Sequence, residues 1–316
     1  MKKIILQIID GLILPLVWIS AVVLKFIRKY DVVNMPLSKQ VFMKVGVFPI
    51  RDHYYEPMFS PKHLHKPLSE ERNLPAIDWN VSGQLELLNA FHFQQEFDSI
   101  SDKFIKKTIF YFQNGSFEAG DAEYWYNLIR LKKPKRIIEI GSGHSTKMAQ
   151  LAIIANQKEN NEYQCEQICI EPYEMPWLEQ IGVKVLRKKV ENMNIDFFRQ
   201  LEANDILFID SSHVIRPQGD VLFEYLEILP VLKVGVIVHV HDIFTPRNYP
   251  KDWVVDKVRL WNEQYLLEAF LSFNENYSIL GALNFLCHNY YDSLKAKCPR
   301  LMSDNEPGSF YMIKVK

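Results

Sequence analysis

Residues 136–146 read Arg136-Ile137-Ile138-Glu139-Ile140-Gly141-Ser142-Gly143-His144-Ser145-Thr146, and the helical run KMAQLAIIA follows from Lys147. A short apolar run, a glycine pair and a helical pattern make a buried strand, a tight turn and a helix. The same alternation repeats downstream: QICIE (167–171) then PWLEQI, KVLRK (184–188), DILFID (205–210) then DVLFEYLEILPVL, and VGVIVHVHD (234–242). Strands apolar on both faces, alternating with helices, predict an α/β fold with a doubly wound parallel sheet. A helix near 254–272, a strand or helix near 277–296 and a last strand, SFYMIKVK, complete the pattern.

Upstream, residues 84–112 carry Leu85, Leu87, Leu88, Phe91, Phe93 and Phe97 at helical spacing, which predicts a helix. A second helix is expected from Asp121, as N-cap, to Leu131. Residues 30–83 are rich in Pro, His and Tyr and read as an irregular segment wrapping over the domain. The run Ile4–Leu24 holds one ionisable residue, Asp10, and has Lys2 and Lys3 before it and Lys25, Arg28 and Lys29 after it. As a helix, its 21 residues would span about 31 Å, close to a bilayer's hydrocarbon thickness. A spanning helix, a hairpin or surface-lying anchor favoured by Asp10, Gly11 and Pro15, and a helix buried on the domain all fit. The expected organisation is a hydrophobic membrane anchor at 1–29, an extension at 30–116 and the main domain at 117–316. If the anchor spans, the larger downstream basic cluster puts the domain on the cytoplasmic side.

A net charge of -1 argues against a nucleic-acid partner. Cys165, Cys169, Cys287 and Cys298 form no zinc-ligand spacing and read as reduced thiols.

Chemistry is expected where strands end, because open α/β sheets bind ligands outside the carboxyl ends of their strands. Gly141 and Gly143 let a ligand approach the backbone with no Cβ in the way. Ser145 and Thr146 fall where an N-cap or a ligand contact would lie. Position 146 is Thr, so the full G-x-G-x-x-G dinucleotide signature is absent, and Glu139 would repel a pyrophosphate but suits a cationic amino-acid moiety. Glu171 ends the second strand, where an acid can accept both hydroxyls of a ribose. Ile209-Asp210-Ser211-Ser212-His213 ends the fourth strand and His239-Val240-His241-Asp242 the fifth. Acids and imidazoles at the ends of buried strands cost desolvation unless paired. They form either a site or an internal hydrogen-bonded network.

EIGSGHST, Glu171, IDSSH and HVHDIF, in that order, resemble the class I S-adenosylmethionine-dependent methyltransferases over about residues 117–316. The resemblance is closest to a bacterial branch of small-molecule and sugar O-methyltransferases. VLKVGVIVHVHDIF carries it most specifically, and GVFPIRDHYYEPMF near the N-terminus belongs to the same branch with no role attached. It implies a Rossmann-like seven-stranded sheet of order 3-2-1-4-5-7-6 with strand 7 antiparallel. Glu139, Gly141, Ser142 and Gly143 would line the methionine part of the cofactor, with Ser145, Thr146 and Asp210 nearby, and Glu171 would hold the ribose. Asp210 matches a magnesium ligand of metal-dependent relatives. His213 matches the general base of macrolide-sugar O-methyltransferases, which share the Asp-x-x-His spacing. Those relatives carry a Glu-Asp pair after the fifth strand where this chain has His241-Asp242, so Asp210, His241 and Asp242 form either a mixed metal site or none. The expected function is S-adenosylmethionine-dependent methylation of a sugar, glycan or small-molecule hydroxyl near a membrane, with His213 as base and Asp210 and Asp242 orienting it or holding a cation. Tyr54, Tyr55, Trp125 and Trp253 are candidates for an acceptor groove. A silent membrane scaffold with this fold and a nicotinamide-dependent oxidoreductase are the competing readings. Assembly as a homo-oligomer stays open.

Overall fold

The computed structural model describes residues 2–173 and 175–316. It contains two compact units, one ending at Pro67 and one running from Leu68 to Lys316.

In the first unit, α1 (Lys2–Lys29) is one 28-residue helix that continues through Gly11 and Pro15. The proposed break there does not occur: Pro15 removes one donor, and the surrounding run of strong apolar helix formers carries the helix on. The 18-residue window of highest hydropathy averages 2.1, and none of it is buried. A second helix, α2 (Pro36–Val45), stands inside the stretch expected to be irregular. Its stop and start signals are ordinary ones, Pro36 in the first turn and Gly46 at φ 77 as a left-handed C-cap. Arg28 and Arg51 converge on Glu56 at 2.6 and 2.9 Å, tying the end of α1 to the loop beyond α2.

The second unit opens with α3 (Val81–Asn89). The helix expected over 84–112 stops there, and only a 3-10 turn follows at Gln94–Ser99. A straight helix of that length would run about 43 Å. Instead Phe91, Phe97, Phe110 and Phe112 all enter one buried cluster, which requires the chain to fold back. Next come α4 (Asp121–Lys132), β1 (Arg136–Ile140), α5 (His144–Glu159), β2 (Glu166–Ile170), β3 (Lys184–Leu186) and β4 (Ile206–Ile209). The segment PWLEQI is a 3-10 turn at Leu178–Gln180 rather than a helix. A helical stretch follows as α6 (Asp220–Phe223), a π turn at Glu224–Ile228 and α7 (Leu229–Val231). After β5 (Ile237–Val240), the helix expected from 254 begins only at Glu263, as α8 (Glu263–Leu271), behind a π turn at Asp252–Asp256. β6 (Tyr277–Ala282), α9 (Leu283–Asn289), α10 (Tyr291–Lys295) and β7 (Phe310–Lys314) close the chain.

The seven strands form one sheet in the order β3-β2-β1-β4-β5-β7-β6. β7 is antiparallel to both neighbours, as the resemblance implied. Alternation along each strand divides the core. Ile137, Phe208 and Ile237 face the cluster that α4 and α5 cover, and Ile138, Leu207 and Val238 face the cluster of Val221, Tyr225 and Leu267. Each fully buried large apolar side chain stabilises the fold by about 1.5–3 kcal/mol before entropy is counted.

Candidate functional site

Ile140 is in register with Ile170 and Ile209, and Ile209 with Val240. The next residues, Gly141, Glu171, Asp210 and His241, therefore form a row along one sheet edge. Three backbone hydrogen bonds lock the row: Gly141 to Ile170 (3.1 Å), Asp210 to Ile140 (2.8 Å) and His241 to Ile209 (2.9 Å). Gly141 is at φ 78, and a Cβ there would collide with the Asp210 carbonyl, so the crossing of β1 past β4 requires glycine.

A cleft of about 340 Å³ lies over this row, with Gly141, Glu171, Tyr173, Val190, Asp210 and Ser212 among its walls. Glu171 accepts from the backbone N–H of Ser142 at 3.3 Å and of Tyr173 at 3.1 Å, which aims its carboxylate along the cleft wall. Ser142 and Gly143 stand half-buried on the loop between β1 and α5.

Glu139, Ser145 and Thr146 do not line the cleft with their side chains. Glu139 points to the α4/α5 face and is fully buried, and its carboxylate accepts from Thr146 (2.8 Å), Ser145 (3.4 Å) and Gln167. The three residues form an internal network that fixes the start of α5, because strand alternation turns Glu139 away from the edge. Burial pushes the Glu139 carboxyl from 4.5 up to about 7, with the Gln167, Thr146 and Ser145 hydrogen bonds opposing. The folded protein thus binds this proton more tightly than the unfolded chain. Stability from this group is present below pH 4.5 and is lost as pH rises to about 7, by about 3 kcal/mol. Glu139→Gln is expected to remove this component. Chemical denaturation at pH 5 and pH 8 checks it, and parallel pH profiles for variant and parent would contradict it.

Beside the cleft, one ligand atom each from Asp210, His241 and Asp242 lies within 4.8 Å of the others. His241 is 5% exposed and neither ring nitrogen has a hydrogen-bond partner. Its Nδ1 stands 3.5 Å from Asp242 and 3.7 Å from Asp210, and its Nε2 3.9 Å from Asp121. Burial opposes the charge on His241, yet Asp242, Asp121 and Asp210 hold its pKa well above the usual range. Burial raises Asp210, but the His213 and His241 imidazoles hold its carboxyl well below the usual range.

His213 is 4% exposed and sits at φ 59. Its Nδ1 is 2.8 Å from Glu263, and its Nε2 is 3.3 Å from Asp210 and 3.6 Å from Asp242. Burial pulls its pKa down, but Asp210 and Glu263 outweigh that and hold it at about 10. Trp261 packs on its ring at 4.2 Å, and Trp253 meets Trp261 at 5.2 Å. A smaller pocket of about 120 Å³ adjoins, with Asp121, His241, Asp242 and Trp253 in its wall.

Of the two tryptophans expected at an acceptor groove, Trp253 reaches this site and Trp125 does not. Trp125 is wholly buried in the core, and Tyr54 and Tyr55 belong to the first unit. His239 is also core, stacked on Tyr311 at 4.1 Å. Two site residues went unread in the sequence. Glu263 begins α8, 50 residues from His213, and accepts from Tyr225 at 3.1 Å. Asp121 is not the N-cap, a position Gly120 takes. Its carboxylate instead accepts from the backbone of Ser309 (2.7 Å) and Gly308 (3.2 Å). The sequence offered Asp121 only as an N-cap, and Glu263 lay in the middle of the helix expected near 254–272.

Residues 138–243 match the family model described as a methyltransferase domain. An uncharacterized protein of Archaeoglobus fulgidus is 28% identical over 184 residues, 54% of this chain and 80% of its own length. Among solved structures, MycE methyltransferase from the mycinamycin biosynthetic pathway, in complex with Mg and SAH, aligns at TM-score 0.34 with 11% identity, over 61% of this chain and 48% of its own. This chain thus spans about half the length of that protein. An O-methyltransferase from Bacillus cereus in complex with SAH aligns at TM-score 0.32 with 14% identity, over 74% of this chain and 91% of its own.

Proposed function

This chain carries a class I S-adenosylmethionine-dependent methyltransferase domain, and from that premise we propose that it methylates a hydroxyl of a sugar, glycan or other small molecule held near a membrane. One observation carries the reading. Asp210 lines the cleft and also stands 3.3 Å from His213 Nε2, so the ligand cleft and a proton-handling imidazole meet at one residue.

S-adenosylmethionine, when bound, supplies a sulfonium methyl group open to in-line displacement. Glu171 holds the ribose hydroxyls, and the Gly141–Gly143 backbone gives the methionine part a close approach. The Asp210, His241 and Asp242 donor set fits a divalent cation, because the orphaned Nδ1 of His241 faces both carboxylates there. With an imidazole in the set, Mn, Fe, Ni or Zn suits it better than Mg. Such a cation would neutralise the two acids and polarise the acceptor hydroxyl.

A base must be neutral to accept a proton, and Asp210 and Glu263 hold His213 charged. A cation held by Asp210 and Asp242 would offset the Asp210 charge and would lower the imidazole toward the neutral form. Glu263 then holds Nδ1–H, which leaves Nε2, beside Asp210 and Asp242, as the acceptor, and Trp261 restrains the ring. Alignment of acceptor and methyl group supplies much of the remaining barrier reduction.

Membrane attachment rests on α1, an unbroken helix whose apolar window is exposed. Its 28 residues give about 42 Å, enough to span, and if it spans, the larger basic cluster after it supports a cytoplasmic side for the catalytic unit. Methyl-labelled S-adenosylmethionine incubated with the full chain and a membrane glycolipid extract is expected to give an ether that survives mild alkali. Label confined to alkali-labile ester would reject hydroxyl methylation. Cofactor binding without transfer to any acceptor would favour the scaffold reading. In alkaline carbonate the full chain is expected to stay in the pellet, and its release would reject a spanning α1.

A further inference from the structure

A second pocket, of about 470 Å³, opens beside the first turn of α5, directly after the Gly141–Gly143 loop. Phe104, Lys107, Tyr111, His144, Lys147 and Trp177 form most of its wall, and among the described residues no acidic one lines it. Lys147 is 5% exposed, and among the described residues it has no hydrogen bond or ion pair. Its ammonium rests on the Trp177 ring at 4.1 Å, which is partial compensation for a buried cation. His144 adds a buried Nδ1 with no partner. Burial lowers the pKa of both side chains, the mark of polar groups short of an acceptor. None of these groups lines the 340 Å³ cleft.

The rim has a different character. In residues 103–109, KFIKKTI, Lys103, Lys106 and Lys107 are exposed, and so are Phe104 (60%), Ile105 (61%) and Ile109 (41%). Large apolar side chains set among lysines on one exposed loop are suited to the headgroup boundary of a bilayer, where rings enter the acyl region and cations meet phosphate. A free anion would satisfy Lys147 but would leave that rim uncovered.

We propose that this pocket is a binding site for the phosphate headgroup of a membrane lipid, with Lys147 and His144 holding the phosphate and Phe104 and Ile105 seating in the acyl region. The proposal depends neither on the acceptor nor on α1.

The test uses the full chain in a sugar-headed detergent, titrated by calorimetry with dihexanoyl phosphatidic acid and, separately, with inorganic phosphate. The short-chain lipid is expected to bind at least about tenfold tighter than phosphate. Lys147→Met keeps the packing on Trp177 and is expected to weaken both ligands about tenfold or more. Phe104→Ser with Ile105→Ser is expected to bring the lipid down to the affinity of phosphate and leave phosphate unchanged. Thermal midpoints equal to the parent's establish that the variants fold, without reference to S-adenosylmethionine. Lipid binding unaffected by Lys147→Met overturns the site. Equal affinity for phosphate and lipid, with a silent rim variant, overturns the lipid as its ligand.

Discussion

His213→Asn is expected to lower methyl-transfer turnover by about 10²–10⁴-fold while the affinity for S-adenosylmethionine stays within about a factor of two. Asparagine is the informative replacement. His213 is at φ 59, a region that Asn tolerates and that alanine occupies only under strain. The side chain does not line the 340 Å³ cleft, so ligand affinity reports folding independently of the proton transfer. Removing the imidazole leaves the buried Glu263 with Tyr225 at 3.1 Å, which costs about 1–3 kcal/mol of stability. Cofactor titration measures the fraction that remains folded. Glu263→Gln separates positioning from chemistry. Its amide oxygen still accepts from Nδ1–H, but the charge is gone, so kcat is expected to fall by about tenfold with little change in KM. A His213→Asn protein that keeps half or more of the parental turnover removes His213 from the proton-transfer step.

The site was legible where chemistry interrupts a buried strand. Asp210, His241 and Asp242 stand out because an acid or imidazole at the end of an apolar run needs a reason, and the structure puts the three within 4.8 Å of one another. Alternation could have sorted the rest. Glu139, Phe208 and His239 are in register and share the face that α4 and α5 cover. A period-2 reading of RIIEI and IVHV therefore places Glu139 and His239 in the interior rather than at the edge. The acids supplied from a distance were not legible. Glu263 meets His213 only because α8 packs back over the sheet, and a first-turn glutamate is ordinary helix chemistry. Helix ends failed for a related reason. Phe91 and Phe97 keep helical spacing but are buried by a chain that turns, so spacing alone overran Asn89. α2 was missed because Pro and His dominated the segment's composition, although Pro36 and Gly46 bracket Leu37, Val41 and Val45 as a helix start and stop.

Glu171→Ala tests the other half of the site and should leave the opposite kinetic signature. Its carboxylate is aimed into the cleft by the Ser142 and Tyr173 backbone N–H groups. Two charge-assisted hydrogen bonds to a ribose contribute about 2–4 kcal/mol, so the S-adenosylmethionine Kd is expected to rise roughly 30–1000-fold. The ribose is the same before and after transfer, so this energy is uniform binding. KM should rise and kcat at saturation should hold, the reverse of His213→Asn. Stability should change little, because Glu171 is half-exposed and the freed N–H groups can turn to water. S-adenosylhomocysteine and adenosine should lose affinity by the same factor, since both keep the ribose. A loss for S-adenosylmethionine but not for adenosine would put Glu171 at the methionine end and reverse the ligand's direction in the cleft. A change below threefold for every ligand would take the ribose off Glu171 altogether.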